Sequence, residues 1–151
     1  ECFTILNQQA PGLQVMNAAD EWVAAPPIPG TFIVNVGDLL EGWTNGRFKA
    51  TQHRVVNTGN ERFSMPLFFA VDYHTVIEPL PQFVSETNPA KYNRIIAGDH
   101  LAGFSVNGAK HLRKKIVRGE LQIAFPIHQE NPFKRKAVNE FQDAAPTAAQ
   151  G

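Results

Sequence analysis

Three polar side chains near the middle of the chain could act together on an anion or a metal ion. His53 begins the run "HRVVN", and nine residues later the triplet "RFS" places Arg62 and Ser64 two positions apart. A planar guanidinium beside a hydroxyl suits a carboxylate, because the guanidinium can donate two parallel hydrogen bonds to its oxygens. A metal held by imidazole and carboxylate ligands leaves positions open for a bidentate oxoacid and O₂. The residue types therefore suggest a site where a carboxylate-bearing molecule binds beside a metal.

Each of these residues also has a plain structural interpretation. A single histidine in a strand is more often a hydrogen-bonded surface residue than a ligand. Arg62 could pair with Glu61 or Glu78, and Ser64 could satisfy a backbone group. No pair among the five histidines, at positions 53, 74, 100, 111 and 128, has the spacing of an HExxH zinc site, and the single cysteine excludes a CxxC site. Spacing alone therefore identifies no metal.

The elements that must position these side chains are short β-strands. Val, Ile, Phe, Thr and Trp are concentrated in the runs "CFTILN", "LQVMN", "EWVAAP", "GTFIVNV", "HRVVN", "RFSMPLFFAV" and "HTVIEP". Turn residues separate most of these runs, and strands at intervals of about 8–12 residues predict a sandwich or barrel, for which a jelly roll is suitable. We expect a hairpin from His53 to Arg62 to bring the three polar side chains toward one barrel interior.

Two segments interrupt the strands. In "GDLLEGWTNG", Asp38 can cap a short helical turn that Gly42 and Gly46 can end. In "AKYNRIIAGDHLAGFSV" the apolar residues recur at approximately helical spacing, which predicts a helix. The end of the chain is rich in Ala and Gln and has little to bury. These features divide the chain into a β-rich part at 1–88, a C-terminal helical segment at 89–118 and a polar, flexible tail at 119–151.

Composition limits the classes of function. The 151 residues contain 43% hydrophobic and 19% charged residues, as in a globular domain. Fourteen basic residues balance fourteen acidic ones, so we expect no nucleic-acid partner. The basic cluster at 110–118 is interpreted as a solvated face, with phosphate binding as the less favoured alternative. Because Cys2 is the only cysteine and no apolar run reaches about 20 residues, we expect a cytoplasmic protein with no membrane partner.

From Cys2 to about Gly103 the chain closely resembles the C-terminal half of the iron(II)/2-oxoglutarate-dependent dioxygenases of the isopenicillin N synthase-like family. The resemblance rests on "GLQVMNAADEWVAAPPIPGTFIVNVGDLLEGWTNGRFKATQHRVVN" and on "ERFSMPLFF" followed by "VIEPLP". It implies a double-stranded β-helix, a jelly-roll variant that is incomplete here. It also implies that His53 is the distal iron histidine and that Arg62 and Ser64 bind the far carboxylate of 2-oxoglutarate.

The same resemblance implies an enzyme that uses iron(II), 2-oxoglutarate and O₂. Such an enzyme hydroxylates or desaturates a small organic substrate and releases succinate and CO₂. In this family an His-x-Asp motif supplies the other two iron ligands, just before the strand that reads "ECFTIL" here. Asp20, Asp38 and Asp72 do not replace it, since no His precedes any of them by two positions. We therefore expect a fragment of an enzyme that is inactive by itself.

Two alternatives to a 2-oxoglutarate enzyme remain open. One is a non-catalytic jelly-roll module that binds a ligand or partner, and the other is a family oxidase that uses no 2-oxoglutarate. The residues do not identify the substrate. Phe68, Phe69 and Phe104 are candidates for the substrate pocket, although aromatic residues on strands are more often core residues.

Overall fold

The computed structural model describes residues 1–123, which form a mainly β structure with three helices and a 3-10 turn. The strands are β1 (Phe3–Gln8), β2 (Leu13–Met16), β3 (Trp22–Ala24), β4 (Ile33–Val36), β5 (His53–Val55), β6 (Ser64–Phe69), β7 (Val76–Ile77) and β8 (Ile95–Ile96). The helices are α1 (Asp38–Trp43), α2 (Ala97–Gly108) and α3 (Lys110–Val117), and a 3-10 turn covers Pro81–Phe83. Every predicted β-run contains a strand, so the mainly β prediction is confirmed.

The strands form two larger antiparallel sheets and one small one. The first sheet has the order β4-β1-β6, the second β3-β2-β5, and the small sheet pairs β7 with β8. Along the chain, β1 lies in the first sheet, β2 and β3 in the second, β4 in the first, β5 in the second and β6 in the first. This repeated crossing between two antiparallel sheets is the connectivity expected of a jelly roll.

The predicted hairpin between His53 and Arg62 is wrong. β5 pairs with β2, whereas β6 pairs with β1 over six residues. The connection at 56–63 therefore carries the chain from one sheet to the other, although its Asn and Gly residues resemble a hairpin turn. Both strands find hydrogen-bond partners that lie much earlier in the sequence.

The helical predictions are partly right. Gly37, and not Asp38, is the N-cap of α1, and the Asp38 carboxylate lies 3.2 Å from Nε2 of His100 instead. The predicted second helix begins only at Ala97, because Ile95 and Ile96 pair with β7. Their β-branched side chains favour a strand at this point. The predicted tail at 119–151 lies almost wholly outside the described residues.

The main buried cluster joins the residue before β1 to α1, the start of α2 and the small sheet. It consists of Cys2, Leu39, Ile77, Ile95 and Ala97. Burial raises the pKa of the Cys2 thiol. Since no member of this cluster belongs to β5 or β6, the candidate site is supported by other contacts.

One face of the first sheet exposes large apolar side chains. Ile5 lies opposite Val34 on one side and Leu67 on the other, so these side chains share a face. Leu67 is 64% exposed, and Met65 on the same face is 69% exposed. Such a continuous apolar surface is typical of a face that another segment or molecule covers.

The aromatic and basic residues discussed above lie on the surface of the described part of the chain. Phe68, Phe69 and Phe104 are all exposed, so their interpretation as core residues is wrong for residues 1–123. The charged side chains of α3 are exposed as well, as expected for a solvated face. No helix among residues 1–123 is long and apolar enough to cross a bilayer.

Candidate functional site

Arg62 and Ser64 lie together where the chain enters β6. The two-residue period of extended backbone places both side chains on one face, and Nη1 of Arg62 donates a hydrogen bond of 3.0 Å to Oγ of Ser64. Gln8 is the register partner of Ser64 across the sheet. Nη2 of Arg62 donates to Oε1 of Gln8 at 3.3 Å. The predicted guanidinium–hydroxyl pair is thus formed, and a neutral amide joins it.

Gly12 leaves space for the stem of Arg62. A Cβ atom added to Gly12 would lie 3.3 Å from both Cδ and Nε of Arg62 and 3.1 Å from the carbonyl oxygen of Val56. The φ angle of Gly12 is +131°, a conformation that residues with a Cβ rarely adopt. The arginine therefore packs directly against backbone at a point where only glycine fits without rearrangement.

The guanidinium retains capacity for an anion, because Nη1 and Nη2 each carry two N–H groups and each has one recorded acceptor among residues 1–123. Its Nε is buried and has no hydrogen-bond acceptor among residues 1–123. Within the same residues, none of the recorded ion pairs involves Arg62, which is half-buried. A partly buried cation without a counter-ion is unfavourable unless a ligand supplies the charge. The geometry and chemistry of this donor set fit a carboxylate.

His53 lies on the other large sheet. Nδ1 of His53 is 3.1 Å from the carbonyl oxygen of Thr51. Because a carbonyl can only accept, this contact requires a proton on Nδ1, and in the neutral ring the Nε2 lone pair is then available to a metal. The register places His53 on the same face of its sheet as Leu13, which is buried. The side chain itself is exposed in the described part of the chain.

The segment that leads into His53 is held by a buried carboxylate. Glu41 is only 6% exposed; its Oε2 accepts the backbone N–H of Ala50 at 2.6 Å and its Oε1 accepts the hydroxyl of Tyr92 at 2.7 Å. Nζ of Lys49 lies 3.8 Å from Oε1. Asn45, also buried, binds the backbone of the segment at 83–91 through both ends of its amide. The Glu41 contacts fix the backbone just before β5, and the Asn45 contacts hold the segment at 83–91 against the end of α1.

The described residues supply one candidate iron ligand and not a complete set. Residues 1–123 contain no cluster of three or more His, Cys, Asp or Glu side chains able to hold a metal. His53 therefore fits the role of a single ligand, while residues 1–123 by themselves do not supply the other ligands of an iron ion.

Sequence reasoning did not identify Gln8, Gly12 or Glu41 as contributors to this region. Gln8 lies two positions after the buried Leu6 along β1, so the strand period places it on the same covered face. The two-residue alternation of covered and exposed faces along β1 could therefore have identified Gln8 from the sequence. The contact between Gly12 and Arg62 has no local signal, because the two residues lie far apart in the sequence.

The sequence matches known oxygenases. The family model of the 2OG-Fe(II) oxygenase superfamily matches residues 1–71, a range that includes all three candidate site residues. The chain is 40% identical over 105 residues to homoarginine-6-hydroxylase 2-ODD-C23 of Glycine max, covering 67% of this chain and 32% of that protein. It is 49% identical over 94 residues to kihadalactone A synthase LFS of Citrus sinensis, covering 60% and 28%.

Solved structures agree with the sequence matches. A full-length protein of Neurospora crassa, solved in complex with alpha-KG, superposes with a TM-score of 0.64 at 32% identity and covers 71% of this chain and 35% of that one. JOX2, solved in complex with 2OG, Fe and JA, gives a TM-score of 0.61 at 36% identity, covering 66% and 30%. These similarities confirm the jelly-roll fold. The chain spans about a third of the length of the proteins it matches.

Proposed function

We propose that this chain, which belongs to the 2OG-Fe(II) oxygenase superfamily, is part of an enzyme that oxidises a small organic substrate with conversion of 2-oxoglutarate to succinate. The superfamily uses iron(II), 2-oxoglutarate and O₂, which together supply the oxidising chemistry. The observation that carries the proposal is the Arg62–Ser64 pair, whose guanidinium is half-buried, has no counter-ion among residues 1–123 and has one N–H on each of Nη1 and Nη2 without a recorded acceptor there.

In this proposal Arg62 and Ser64 bind the far carboxylate of 2-oxoglutarate. The guanidinium offers a planar set of donors that matches two carboxylate oxygens, and the Ser64 hydroxyl can donate to the same anion. Bound in this way, the cosubstrate has a fixed orientation before any reaction begins. Orientation of this kind is the contribution that these residues of the protein make.

His53 would contribute one imidazole to the iron site through Nε2. The Thr51 carbonyl would keep the ring in the required tautomer, as hydrogen-bonded outer groups commonly do for metal-binding histidines. Because residues 1–123 lack a complete ligand set, we propose that they do not turn over substrate by themselves.

The remaining expectations follow from the same proposal. We propose that residues 1–88 form part of the jelly-roll core and residues 89–118 a C-terminal helical segment, which the positions of α2 and α3 support. The solved neighbours include a complex with thymine, which supports a small organic substrate. A cytoplasmic location and the lack of a nucleic-acid partner are proposed from composition alone.

The test is a 2-oxoglutarate titration of the full-length gene product with Arg62→Lys. An ammonium cannot reproduce the planar fork, and a charged hydrogen bond contributes about 1.5–3 kcal/mol, so the apparent 2-oxoglutarate constant should rise about ten-fold to a hundred-fold. Succinate release is measured at saturating iron and substrate. Arg94→Lys is the matched control, since Arg94 is exposed and its nearest recorded carboxylate, Glu78, lies 3.9 Å away.

Three results would contradict the proposal. An unchanged constant in Arg62→Lys would remove Arg62 from the cosubstrate. Turnover that never requires 2-oxoglutarate would favour a family oxidase, and a complete absence of turnover and of 2-oxoglutarate binding would favour a non-catalytic module.

A further inference from the structure

We infer that Gln8 is a positioning residue that orients Arg62 toward the far carboxylate of 2-oxoglutarate; the inference rests on the proposed function. Gln8 is 8% exposed, and both ends of its amide are engaged. Nε2 donates to the carbonyl oxygen of Ala25 at 2.7 Å, and Oε1 accepts from Nη2 of Arg62 at 3.3 Å. Because the Ala25 carbonyl can only accept, the amide is held with its oxygen toward the guanidinium.

Gln8 and Ser64 hold the guanidinium without neutralising it. Nη1 contacts the Ser64 hydroxyl and Nη2 contacts the Gln8 amide, and both acceptors are uncharged. Gly12 packs close to Cδ and Nε of the same side chain. Two neutral acceptors and one backbone contact thus restrict the plane of the guanidinium, while its positive charge remains available to an anion.

A fixed guanidinium plane matters for a carboxylate because paired hydrogen bonds require both groups to be coplanar. An arginine that must first be ordered by the ligand loses affinity through the conformational entropy of its long side chain. Gln8 orders the Arg62 side chain before the ligand binds, so this loss of affinity is avoided. Its effect should therefore be restricted to ligands that carry the far carboxylate.

Two oxoacids distinguish the positioning role of Gln8 from a general contribution of Gln8 to folding. 2-Oxoglutarate has the far carboxylate, and 2-oxopentanoate has the same carbon chain without it. Their dissociation constants are measured by calorimetry on the iron-loaded full-length gene product without O₂. The variant is Gln8→Met, which keeps an unbranched side chain of similar length but removes both hydrogen bonds. Gln9→Met is the matched control, because Gln9 is the exposed neighbour.

Gln8→Met should weaken 2-oxoglutarate binding about three-fold to ten-fold, as expected for the net value of one hydrogen bond, and should leave 2-oxopentanoate binding unchanged. In an Arg62→Lys background the same change should have little further effect, because its action passes through the guanidinium. Equal weakening of both oxoacids, or no weakening of either, would overturn the role of Gln8.

Gln8→Glu gives a second, independent measurement if Gln8→Met folds poorly. The new carboxylate would lie against Arg62 and compete with the ligand, so 2-oxoglutarate should bind more weakly than in wild type while 2-oxopentanoate is unaffected. Wild-type affinity for 2-oxoglutarate in Gln8→Glu would refute the inference. If Arg62→Lys itself leaves 2-oxoglutarate affinity unchanged, the proposed function fails as well, and the two failures are thereby distinguished.

Discussion

Replacement of Gly12 by alanine should disturb the arginine that the proposed site depends on. The new Cβ would lie 3.3 Å from Cδ and Nε of Arg62 and 3.1 Å from the Val56 carbonyl oxygen. These separations are shorter than ordinary van der Waals contacts, so Arg62 or the backbone at position 56 must move. Movement of Arg62 would change the direction in which its guanidinium meets a ligand.

The expected loss of stability has two parts. Holding alanine at the φ of +131° observed for Gly12 costs on the order of 1–3 kcal/mol. Crowding against Val56 and Arg62 adds about 1 kcal/mol or more, as is usual for an atom added to a filled site. The sum is about 2–4 kcal/mol. Each kcal/mol lowers the melting temperature of a protein of 150–250 residues by roughly 2–4 °C, and it lowers that of a longer protein, such as the full-length gene product, by less.

Gly59→Ala is the matched control for the part of the stability loss that comes from the backbone conformation. Gly59 has a φ of +76°, and nothing lies within 4 Å of the added Cβ, so this change tests positive φ without crowding. Thermal melts and 2-oxoglutarate titrations of both variants in the full-length gene product separate the two effects. Gly12→Ala should be the less stable variant and the only one with weakened cosubstrate binding. Equal stability of the two variants, with normal 2-oxoglutarate binding in both, would refute the reasoning about the Gly12 contact.

Two other predictions concern His53 and the exposed sheet. His53→Ala should abolish iron-dependent turnover and weaken iron binding in the full-length gene product, with a stability change within about 0.5 kcal/mol because the side chain is exposed. His111→Ala, on α3, is the control and should change neither turnover nor iron binding. Full activity of His53→Ala would exclude the ligand role. The 151-residue chain expressed alone should self-associate through the face that carries Met65 and Leu67, as sedimentation velocity would report, and Leu67→Lys should reduce the association. A monomeric wild-type chain would contradict that prediction.

The strands were predictable because the signal for each strand lies in the composition of one short stretch of sequence. Val, Ile and Phe cluster between turn residues, and each such cluster became a strand. The pairing of β5 with β2 was not predictable in the same way, since a turn-like connection is compatible with either a hairpin or a crossing between sheets. The helix boundary at Ala97 was missed because Ile95 and Ile96 fit both a helical period and a strand, and their pairing with β7 decides the outcome.

The proposed site was predictable as far as the resemblance and the spacing of Arg62 and Ser64 allowed. Two residues at that spacing in extended backbone share a face, and the structure brings their side chains to 3.0 Å. Glu41 lies in the short helix α1 and is buried, where the backbone N–H of Ala50 and the hydroxyl of Tyr92 bind its carboxylate. Such contacts between distant segments carry no local pattern.

Because β5 and β6 lie in different sheets, the separation of the sheets limits the length of a ligand that can reach from one sheet to the other. If His53 holds the metal end of an oxoacid and Arg62 its far end, the distance between these ends depends on how far apart the sheets stand, and packed sheets are about 10 Å apart. The Gln8 amide spans from β1 to the Ala25 carbonyl beyond β3, so it also helps to set that distance. Substitution of Gln8, whose side chain joins the two sheets, should shift the preferred number of carbons in the diacid, whereas substitution of an exposed residue of one sheet, such as Leu67, should not.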